Sequence, residues 1–598
     1  MSRFIALIII VTISFAKILS AQEVELGEAY VIGTTWFFSQ ANTTVSKMIA
    51  LDDVGGVHFT YTFGSDALNS NRHISYNFVS EDAEDIGADL EENESQVDNA
   101  QRAGYSSIDL IGAGDEQLAV CFYHGFGQAE MAIDFRHGLG AFTQTLFNAP
   151  GQTIPLSVKG TIDVNGFAHL VSGTHDMAGN DPTFPLVIWH AEPGGDFEWD
   201  VSEPQIIERT TGLSHHIISA RESDQVALLW VHNIAGAPAP EDWEGEDAYG
   251  MHNDLYLIES ADGQEWDYDR PISITRTILP DFEEESAGDT LRPFNNVDAI
   301  YAEDVLHAVF STRGFWMNPQ DNGEGLVEDF TTRKSFIWHW DSDSDSLTLV
   351  ANGWYENEGD PGNMHSNVSR PSIGMDEEGN MYCLFRRVME VERNDMDYCY
   401  GELMLSTSSD QGITWSEPIL LTGTLSNDDE EDDFVDENHP SLAERVDENL
   451  HISYLLSTES PQMDQAGQMI YQRVAVADLP DAEDLELPIE GFQYHLGRVP
   501  IEVKPHTDII PVEHGIDMAY PNPFNSTTRV VYSLSKPSQV DLAVFDINGN
   551  RVSTLFSGER NAGSWEAIWN AESAVSGVYL LRFSAGAYNG TVKLLLIR

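Results

Sequence analysis

A unit of about fifteen residues recurs seven times along this chain, and it consists of an apolar strand, an acidic or glycine-containing turn and a second apolar strand. The copies are residues 49–63, 108–123, 157–172, 217–232, 297–311, 372–386 and 442–456. Each copy exposes an apolar face, so the copies must stack, and an all-β array avoids open edges by closing on itself. The spacing suits four-stranded blades with loops of variable length. We therefore predict an all-β fold, a six- or seven-bladed β-propeller over residues 22–487.

A second pattern marks the later part of some repeats, where residues are spaced as S-x-D-x-G-x-T-W. Its complete copy consists of Ser408, Asp410, Gly412, Thr414 and Trp415. A shortened copy spans residues 260–266, and a poorer one spans 194–199. The pattern resembles the Asp-box, or BNR repeat, of sialidase-like β-propellers. The resemblance implies a structural hairpin, in which the aspartate bonds turn amides and the tryptophan caps the blade. It does not by itself imply sialidase activity.

The C-terminal segment reads as short alternating strands separated by turn residues. We predict strands at residues 528–534, 539–546, 552–556, 564–569, 577–584 and 591–597. The motif YPNPFN at 520–525 and the strand SGVYLLRF at 576–583 resemble the type A C-terminal sorting domain of proteins exported by the type IX secretion system. The resemblance implies a small immunoglobulin-like β-sandwich over 517–598 and the type IX secretion machinery as a partner. Residues 488–516, which contain four prolines, are predicted to be a linker.

The N-terminus has the three parts of a secretory signal peptide. A basic residue, Arg3, precedes an apolar run at 4–16, and small residues follow at Ser20 and Ala21. We predict that residues 1–21 are a signal peptide. No later segment approaches the ~20 apolar residues of a membrane-spanning helix. The protein is therefore expected to pass through the periplasm to the cell surface or the medium, without a transmembrane segment.

Charge and cysteine content exclude other classes of function. The chain has 98 acidic and 30 basic residues, which gives a net charge of −68. Such a field repels nucleic acid, so no nucleic-acid partner is expected, and it disfavours any polyanion unless a local basic pocket overrides it. Three cysteines, Cys121, Cys383 and Cys399, exclude a disulfide framework. A cross-strand disulfide between Cys383 and Cys399 stays open as an alternative.

In a β-propeller, ligands meet the central funnel, where the innermost strands begin. Counting back eleven positions from the start of each second strand gives one residue per blade. These residues are Ser46, Ser107, Leu156, His215, Asn295, Arg370 and His439. Arg292 is a neighbour that could join them. We predict a polar rim with His215, Arg292, Asn295, Arg370 and His439 as catalytic candidates. The alternative is that these residues precede strands and face solvent.

Three chemistries fit such a rim. A sialidase-like hydrolase needs an arginine clamp, and the nearest basic candidate near the N-terminus, at residues 71–73, lacks the F/Y-R-I-P motif of that family. A polysaccharide lyase needs a histidine or tyrosine base and an arginine that neutralises a uronate. Binding without catalysis needs aromatic platforms such as Trp316, Trp354 and Tyr355. We predict binding of extracellular glycan or protein, with a glycoside hydrolase or lyase as the alternative.

No cofactor and no metal site are predicted. Four histidines occupy one equivalent position in the repeats, and they are His58, His169, His307 and His451. Because they point into different blades, they cannot converge on one ion, and we interpret them as structural. Residues 341–345 have the D-x-D-x-D spacing of calcium ligands but lack the glycine and distal glutamate of an EF-hand loop. A solvated loop is the prediction there, and calcium is the alternative.

Overall fold

The computed structural model describes residues 26–485 and 514–597, apart from gaps at 42–43, 67, 69, 100–101, 126, 152, 177–183, 211–213, 234–252, 269, 276–289, 318–327, 330–334, 354, 356–365, 394–398, 423–435, 458–465, 521–523, 525–526, 548, 561–562, 572–573 and 587. The predicted signal peptide and most of the predicted linker lie outside these residues. The chain divides into two compact units, Met1–Arg498 and Val499–Arg598. The described helices and strands of both units are almost all antiparallel strands.

The described part of the first unit contains seven sheets of four or five strands, numbered here in chain order. The first strand, β1 (Glu28–Thr35), belongs to the last of them. Sheet 1 comprises β2 (Ile49–Leu51), β3 (Val57–Gly64), β4 (Arg72–Val79) and β5 (Ser95–Gln96), with helix α1 (Ile86–Asn93) between β4 and β5. Sheet 2 comprises β6 (Gly104–Ile111), β7 (Leu118–His124), β8 (Gln128–Asp134) and β9 (Phe142–Asn148). Sheet 3 comprises β10 (Thr153–Ile162), β11 (Ala168–Asp176), β12 (Phe184–Pro193), β13 (Trp199–Val201) and β14 (Gln205–Thr210).

The remaining sheets of the first unit follow the same order of strands. Sheet 4 comprises β15 (His215–Ser219), β16 (Val226–Asn233), β17 (Asn253–Ser260) and β18 (Ile272–Ser273). Sheet 5 comprises β19 (Thr290–Ala302), β20 (Val305–Met317), β21 (Glu328–Asp329), β22 (Ser335–Asp341) and β23 (Leu347–Gly353). Sheet 6 comprises β24 (Val368–Met375), β25 (Met381–Arg393), β26 (Cys399–Ser408) and β27 (Ile419–Leu420). Sheet 7 comprises β28 (Asp436–Leu442), β29 (Asn449–Ser457), β30 (Gly467–Ala475) and β1.

The seven sheets form a closed ring. The first strand of each sheet contacts the first strand of the next, from β2 through β6, β10, β15, β19 and β24 to β28, and β2 contacts β29 of sheet 7. Strand β1 pairs with β30, so the N-terminal strand completes the sheet that the end of the unit begins. Apolar side chains of neighbouring sheets share cores, as Ile32, Phe59 and Tyr471 do where sheet 7 meets sheet 1. Burial between neighbouring sheets therefore holds the ring together.

The second strands begin where the repeat predicts. Strands β3, β7, β16 and β25 start at Val57, Leu118, Val226 and Met381, which are the positions from which the count of eleven was made. The other three second strands start within one residue of the corresponding position. These strands are buried on both faces, and β7, for example, reads as a continuous apolar run that follows a turn. The first residue of each second strand can therefore be predicted from the sequence.

The first strands carry a feature that the repeat did not predict. Register shifts interrupt the pairing of β6, β10, β19, β24 and β28 with their second strands near the start of each strand. In four of them a residue other than glycine has a positive φ, and these residues are Tyr105 (58°), Asn295 (47°), Arg370 (57°) and His439 (52°). Such β-bulges re-aim side chains, and they are common beside functional sites.

Cys121, Cys383 and Cys399 are buried thiols, which corrects the alternative of a disulfide between Cys383 and Cys399. Cys383 lies opposite Ser406 in the pairing of β25 and β26, whereas Cys399 lies opposite Arg393. Seven residues separate Cys399 from Ser406, which is about 23 Å along a strand. A disulfide requires Cα atoms within about 7 Å.

The second unit has two sheets that share one core. One sheet comprises β31 (Gly515–Tyr520), β32 (Thr527–Leu534) and β35 (Gly563–Asn570). The other comprises β33 (Ser538–Asp546), β34 (Arg551–Arg560), β36 (Gly577–Ala585) and β37 (Tyr588–Leu596). The six predicted strands correspond to β32 through β37. Strand β31 was not predicted, and it begins within the segment assigned to the linker.

Candidate functional site

We call the end of the ring at which the first strands begin the mouth. The four residues with positive φ, Tyr105, Asn295, Arg370 and His439, mark it. Although the protein is strongly acidic, buried arginines gather at this end. They are Arg72, Arg292, Arg313, Arg370 and Arg386. The mouth is therefore a local concentration of positive charge in a chain whose net charge is −68.

The structure brings two of the predicted residues together. Arg370 donates from Nη1 to Nδ1 of His439 at 3.0 Å, and its backbone N–H donates to Oδ1 of Asn296 at 3.0 Å. Burial and the charge of Arg386 lower the pKa of Arg370 to about 9. Burial and the charge of Arg370 hold the pKa of His439 well below its usual value. The His439 ring is therefore a neutral acceptor at physiological pH.

A carboxylate completes this part of the mouth. Arg386 donates from Nη2 to Oδ1 of Asp436 at 2.6 Å and from Nε to the carbonyl oxygen of Glu437 at 3.0 Å. A Cβ at position 401 would lie 2.3 Å from Nε of Arg386, so Gly401 leaves the space that the guanidinium occupies. The charges of Arg386 and Asp436 both act on Arg370. Arginine, histidine and carboxylate thus meet in one region, which we call the Arg370 group.

A second group at the mouth joins sheets 1 and 2. Arg72, at the start of β4, lies with Nη2 2.8 Å from Nε2 of His124, at the end of β7. The Arg72 guanidinium also lies 5.6 Å from the ring centre of Tyr105. Gly104 leaves room for it, because a Cβ there would lie 2.9 Å from Cζ of Arg72. We call Arg72, Tyr105 and His124 the Arg72 group.

His124 is a neutral imidazole. Burial and the neighbouring charge of Arg72 lower its pKa to about 3, so its Nε2 accepts from the guanidinium. Tyr105 is only half-buried, and its left-handed backbone aims its ring at Arg72 and His124. The group combines a guanidinium held in place, a neutral imidazole and a phenol. Those are the residue types that acid–base chemistry on an anionic sugar needs.

Sequence reasoning reached only part of the Arg72 group. Arg72 lies in the basic segment 71–73, which lacks the F/Y-R-I-P motif of sialidases. No sequence pattern indicates Tyr105 or His124. Tyr105 lies two residues before Ser107, the position that the count of eleven selected. The bulge in β6 shifts the chain there, which counting cannot detect. His124 lies 52 residues from Arg72, so their contact depends on how sheets 1 and 2 pack.

Below the mouth, titratable side chains from four sheets meet on the inner side of the ring. Lys47 precedes β2, Lys159 lies in β10, His216 in β15 and Asp298 in β19, and we call these four the axial cluster. Lys47 Nζ lies 2.9 Å from Oδ2 of Asp298 and donates to the carbonyl oxygen of Ile373 at 2.9 Å. His216 Nε2 lies 3.5 Å from Oδ1 of Asp298. All four side chains are buried.

Burial dominates the titration of the axial cluster. It lowers the pKa of Lys159 to about 7, although Asp298 opposes the shift. It also lowers the pKa of His216 to about 4. Lys159 Nζ donates to Oγ of Ser46, and Ser46 lines the same small cleft as Arg370 and His439. The axial cluster is therefore connected to the Arg370 group.

The other predicted rim residues have separate surroundings. His215 bonds through Nε2 to the carbonyl oxygen of Ser157 at 2.7 Å, so it is held by backbone. Arg292 lies opposite Arg313 in the pairing of β19 and β20, and burial lowers its pKa to about 10. Asn295 occupies the bulge of β19. Of the five catalytic candidates, the structure therefore joins Arg370 with His439 directly.

The predicted aromatic platforms and acidic loop give little support to a ligand site. Trp354 and the side chain of Trp316 lie outside the described residues. Tyr355 donates its hydroxyl to the carbonyl oxygens of Asn367 at 3.1 Å and Val388 at 2.5 Å, so it braces a loop. In the 341–345 hairpin, the Asp341 carboxylate accepts from the backbone N–H of Ser344 at 2.6 Å.

The hairpin between β26 and β27 is closed by its own side chains. Asp410 accepts from the backbone N–H and the hydroxyl of Thr414, both at 2.8 Å. Ser408 Oγ accepts from the backbone N–H of Gly412 at 2.8 Å. Trp415 donates from its indole to the carbonyl oxygen of Gly412 at 3.2 Å. These residues build the turn and lie away from the mouth groups.

The C-terminal unit has a family match. The family model described as a secretion system C-terminal sorting domain matches residues 518–598. The protein is therefore exported by type IX secretion to the cell surface or the extracellular space, and its second unit engages the type IX machinery, as the sequence motifs predicted. Among the described residues, no helix is long and apolar enough to cross a membrane.

The chain has low-identity similarity to several solved structures. No curated protein matches the chain. An ulvan lyase of polysaccharide lyase family PL25 is 10% identical over 76% of this chain and 98% of its own, with a TM-score of 0.41. An α-L-arabinofuranosidase from Podospora anserina is 8% identical over 75% of this chain and 97% of its own, with a TM-score of 0.30. The GH32 β-fructofuranosidase of Bombyx mori is 10% identical over 73% and 92%, with a TM-score of 0.29. These neighbours are carbohydrate-active enzymes.

Proposed function

We propose that the first unit is a seven-bladed β-propeller that takes an acidic, uronate-containing polysaccharide at its mouth and cleaves it as a lyase. Seven described sheets, their contacts in a ring and the closure of sheet 7 by β1 support the architecture. The observation that carries the activity is the Arg72 group, in which a buried guanidinium contacts a neutral histidine and a half-buried tyrosine. Export to the outside of the cell places the protein where such polymers occur.

The Arg72 group suits β-elimination. Arg72 would pair with the uronate carboxylate and stabilise the negative charge that develops on it when the proton at C5 leaves. Tyr105, as the phenolate, would take that proton on its oxygen and become the neutral phenol. The C5–H electrons then form the C4=C5 double bond, and the bond from C4 to the glycosidic oxygen breaks with its electrons on that oxygen. The leaving oxygen then takes a proton, which Tyr105 can return.

His124 has a positioning role in this proposal. Its Nε2 accepts from Arg72 at 2.8 Å, so the guanidinium keeps a fixed orientation at the mouth. Because the pKa of His124 is about 3, the ring does not gain a second positive charge that would repel the arginine. Replacing His124 should therefore weaken the hold on the carboxylate more than it slows proton transfer.

The test uses the exported chain, residues 22–598, with uronate-containing, sulfated and neutral polysaccharides. Cleavage by elimination creates an unsaturated uronate whose ultraviolet absorbance reports turnover. We expect Arg72→Gln to lower turnover by on the order of 10²-fold, as removal of one charge-stabilising donor does elsewhere. Tyr105→Phe should abolish turnover while retention of the polymer persists. Arg270→Gln, at a side chain that is 84% exposed, is the matched control and should turn over like the wild type.

Two results would contradict the lyase proposal. If Arg72→Gln turned over the polysaccharide at the wild-type rate, the Arg72 group would have no part in the reaction. Release of saturated products would indicate hydrolysis, the chemistry of a sialidase-like or other glycoside hydrolase. In that case the Arg370 group, with its carboxylate Asp436, becomes the site to examine.

Binding without turnover is the second candidate function, and one observation favours it. Arg370 and His439 are almost fully buried and bonded to each other, so this part of the mouth is committed to internal contacts. A glycan or a protein would then be held by the rim, and no product would appear in the assay. Retention that is unchanged in both Arg72→Gln and Tyr105→Phe, without any product, would support this reading.

Several finer assignments belong to the same proposal. We infer that residues 408–415 and 260–266 are Asp-box hairpins of a sialidase-like, BNR-type propeller, because Asp410 and Asp262 each accept from turn amides. We also propose an immunoglobulin-like topology for the C-terminal sandwich and a signal peptide at 1–21. No cofactor enters the proposed reaction, and calcium at 341–345 stays the alternative to a solvated loop.

A further inference from the structure

Two histidines and an aspartate converge at the end of the ring opposite the mouth. Asp52 lies in the turn between β2 and β3, His58 in β3 and His137 in the turn between β8 and β9. Oδ2 of Asp52 lies 3.1 Å from Nε2 of His58 and 2.5 Å from Nε2 of His137. Among the described residues, this is the one trio of histidine, cysteine or acidic side chains whose ligand atoms all lie within 4.8 Å of one another. We propose that it binds Zn²⁺ and ties sheet 1 to sheet 2.

The two ligands from sheet 1 are already oriented. Oδ1 of Asp52 accepts from the backbone N–H groups of Val54 at 2.9 Å and Gly56 at 2.7 Å, which leaves Oδ2 to face the histidines. Nδ1 of His58 lies 2.7 Å from the hydroxyl of Tyr76, so Nε2 faces Asp52. Metal-binding histidines usually have such a partner on the other ring nitrogen, because it fixes the ring and its tautomer.

The ligand from sheet 2 is held by its own turn. Asp134 accepts from the backbone N–H groups of Gly140 at 2.9 Å and Ala141 at 3.0 Å, which closes the turn that carries His137. Gly138 has a φ of 62°, and a Cβ there would lie 2.5 Å from the ring of Phe78. The glycine thus lets the turn approach sheet 1 closely enough for His137 to reach Asp52.

Other sheets provide an internal comparison. His451 in β29 faces Asp447 at 3.3 Å and Tyr471 at 2.8 Å, which is the same arrangement as His58 with Asp52 and Tyr76. His169 faces Asp163 at 3.1 Å, but its other nitrogen meets His190. Neither aspartate has a second histidine directed at its carboxylate among the described residues. The Asp–His pair recurs from sheet to sheet, so it is a feature of the repeat. The second histidine, His137, is not part of that repeated arrangement.

The types of ligand atom indicate which metal ion the site would bind. Two imidazoles and one carboxylate suit Zn²⁺, whereas Ca²⁺ and Mg²⁺ prefer oxygen ligands alone. Ligands at about 2.0–2.1 Å from a tetrahedral zinc ion lie about 3.3 Å apart, so the pair of Asp52 and His58 already fits. His137 must move outward by under about 1 Å, and its side chain is 24% exposed, which leaves the fourth position to water. His58 is therefore reinterpreted here as a ligand, whereas the repeat alone indicated a structural histidine.

The test is zinc binding by the metal-stripped, exported chain. Isothermal titration with Zn²⁺ in excess Ca²⁺, which occupies the acidic surface, should show one tight site per chain. Asp52→Asn and His137→Ala should each weaken that site at least tenfold. Asp447→Asn removes the equivalent carboxylate in sheet 7 and should leave zinc affinity unchanged. Zinc should also raise the melting temperature of the wild type and of Asp447→Asn, and have a smaller effect on the other two.

Cobalt provides a second readout that does not depend on stability. Co²⁺ bound by two imidazoles and a carboxylate absorbs visible light strongly when its geometry is tetrahedral, and His137→Ala should lose that band. Equal zinc stoichiometry and affinity in the wild type, Asp52→Asn and His137→Ala would overturn the proposal. None of these measurements uses catalytic turnover, so the result is independent of the proposed lyase reaction.

Discussion

At the scale of single residues, Lys159 shows how the interior of the ring treats charge. It lies in β10 with its ammonium group at the hydroxyl of Ser46, and its charge acts on His124, His216 and His439. Burial lowers its pKa to about 7, and Asp298 opposes that shift only in part. A lysine is normally protonated to about pH 10. The protein therefore maintains a cation at this position at the expense of stability.

The pH dependence of stability should reveal this lysine. Between about pH 7 and pH 10 the unfolded chain keeps the proton that folded Lys159 has lost, so stability rises with pH over that window. Each unit of pKa difference corresponds to about 1.4 kcal/mol. Lys159→Met should be more stable than the wild type near pH 7 by a few kcal/mol, and the difference should shrink toward pH 10. Urea denaturation across that window measures it.

The control for this experiment is Lys536→Met, at an exposed lysine of the second unit. Its stability curve should run parallel to that of the wild type. If the curves for Lys159→Met and the wild type are also parallel, Lys159 titrates normally in the folded protein, and its burial does not destabilise the ring.

Site residues were predictable from sequence only where one strand determines them. Arg370 and His439 lie at positions that a fixed count from the second strand selects, and the structure joins them at 3.0 Å. His124 and His137 were missed because their partners come from a neighbouring sheet, 52 and 85 residues away. Packing between sheets decides those contacts, and no local pattern records it.

At the scale of elements, hairpin turns set the strand pairing. Two turn glycines show that a turn can need glycine for its backbone conformation alone, or also for the space around it. Gly412 and Gly379 have nearly identical φ values of 83° and 84°. A Cβ on Gly412 would lie 2.2 Å from the buried ring of His339, whereas one on Gly379 would lie 3.6 Å from the nearest atom, in Gln411. Both turns thus need a residue with left-handed backbone conformation, but only the turn of Gly412 packs tightly against a neighbouring sheet.

Substituting alanine at both positions tests this difference. A left-handed alanine costs about 1 kcal/mol, and this cost should be the whole effect of Gly379→Ala. Gly412→Ala should cost about 1–3 kcal/mol more, because the methyl group must displace His339 in a packed interior. Denaturant titration gives both free energies of unfolding. Equal losses would show that the ring of His339 moves aside freely.

Strands were more predictable than their irregularities. The starts of β3, β7, β16 and β25 follow from apolar runs after turn residues, and β32 through β37 follow from alternation between glycine and proline turns. The bulges of the first strands left no such pattern, since they arise where Tyr105, Arg370 and His439 adopt positive φ. Strand β31 was missed because it begins at the end of a proline-containing segment that reads as a linker.

At the scale of the whole molecule, the acidic field and the basic mouth act over different distances. The net charge of −68 acts at long range, and salt screens it. In the proposed function, Arg72 acts on the uronate only at contact, where screening is weaker because its side chain is buried. An anionic polymer must therefore cross a repulsive field before it reaches an attractive site.

This arrangement reverses the usual effect of salt on association. The Debye length falls from about 30 Å at 0.01 M salt to about 10 Å at 0.1 M. Over that range we expect the association rate of a uronate oligosaccharide to rise several-fold, because screening removes repulsion by the acidic surface. Stopped-flow measurements on Tyr105→Phe separate binding from turnover. A neutral oligosaccharide of equal length should show no such dependence, and an association rate that falls with salt would mean that the arginines at the mouth already dominate the field at a distance.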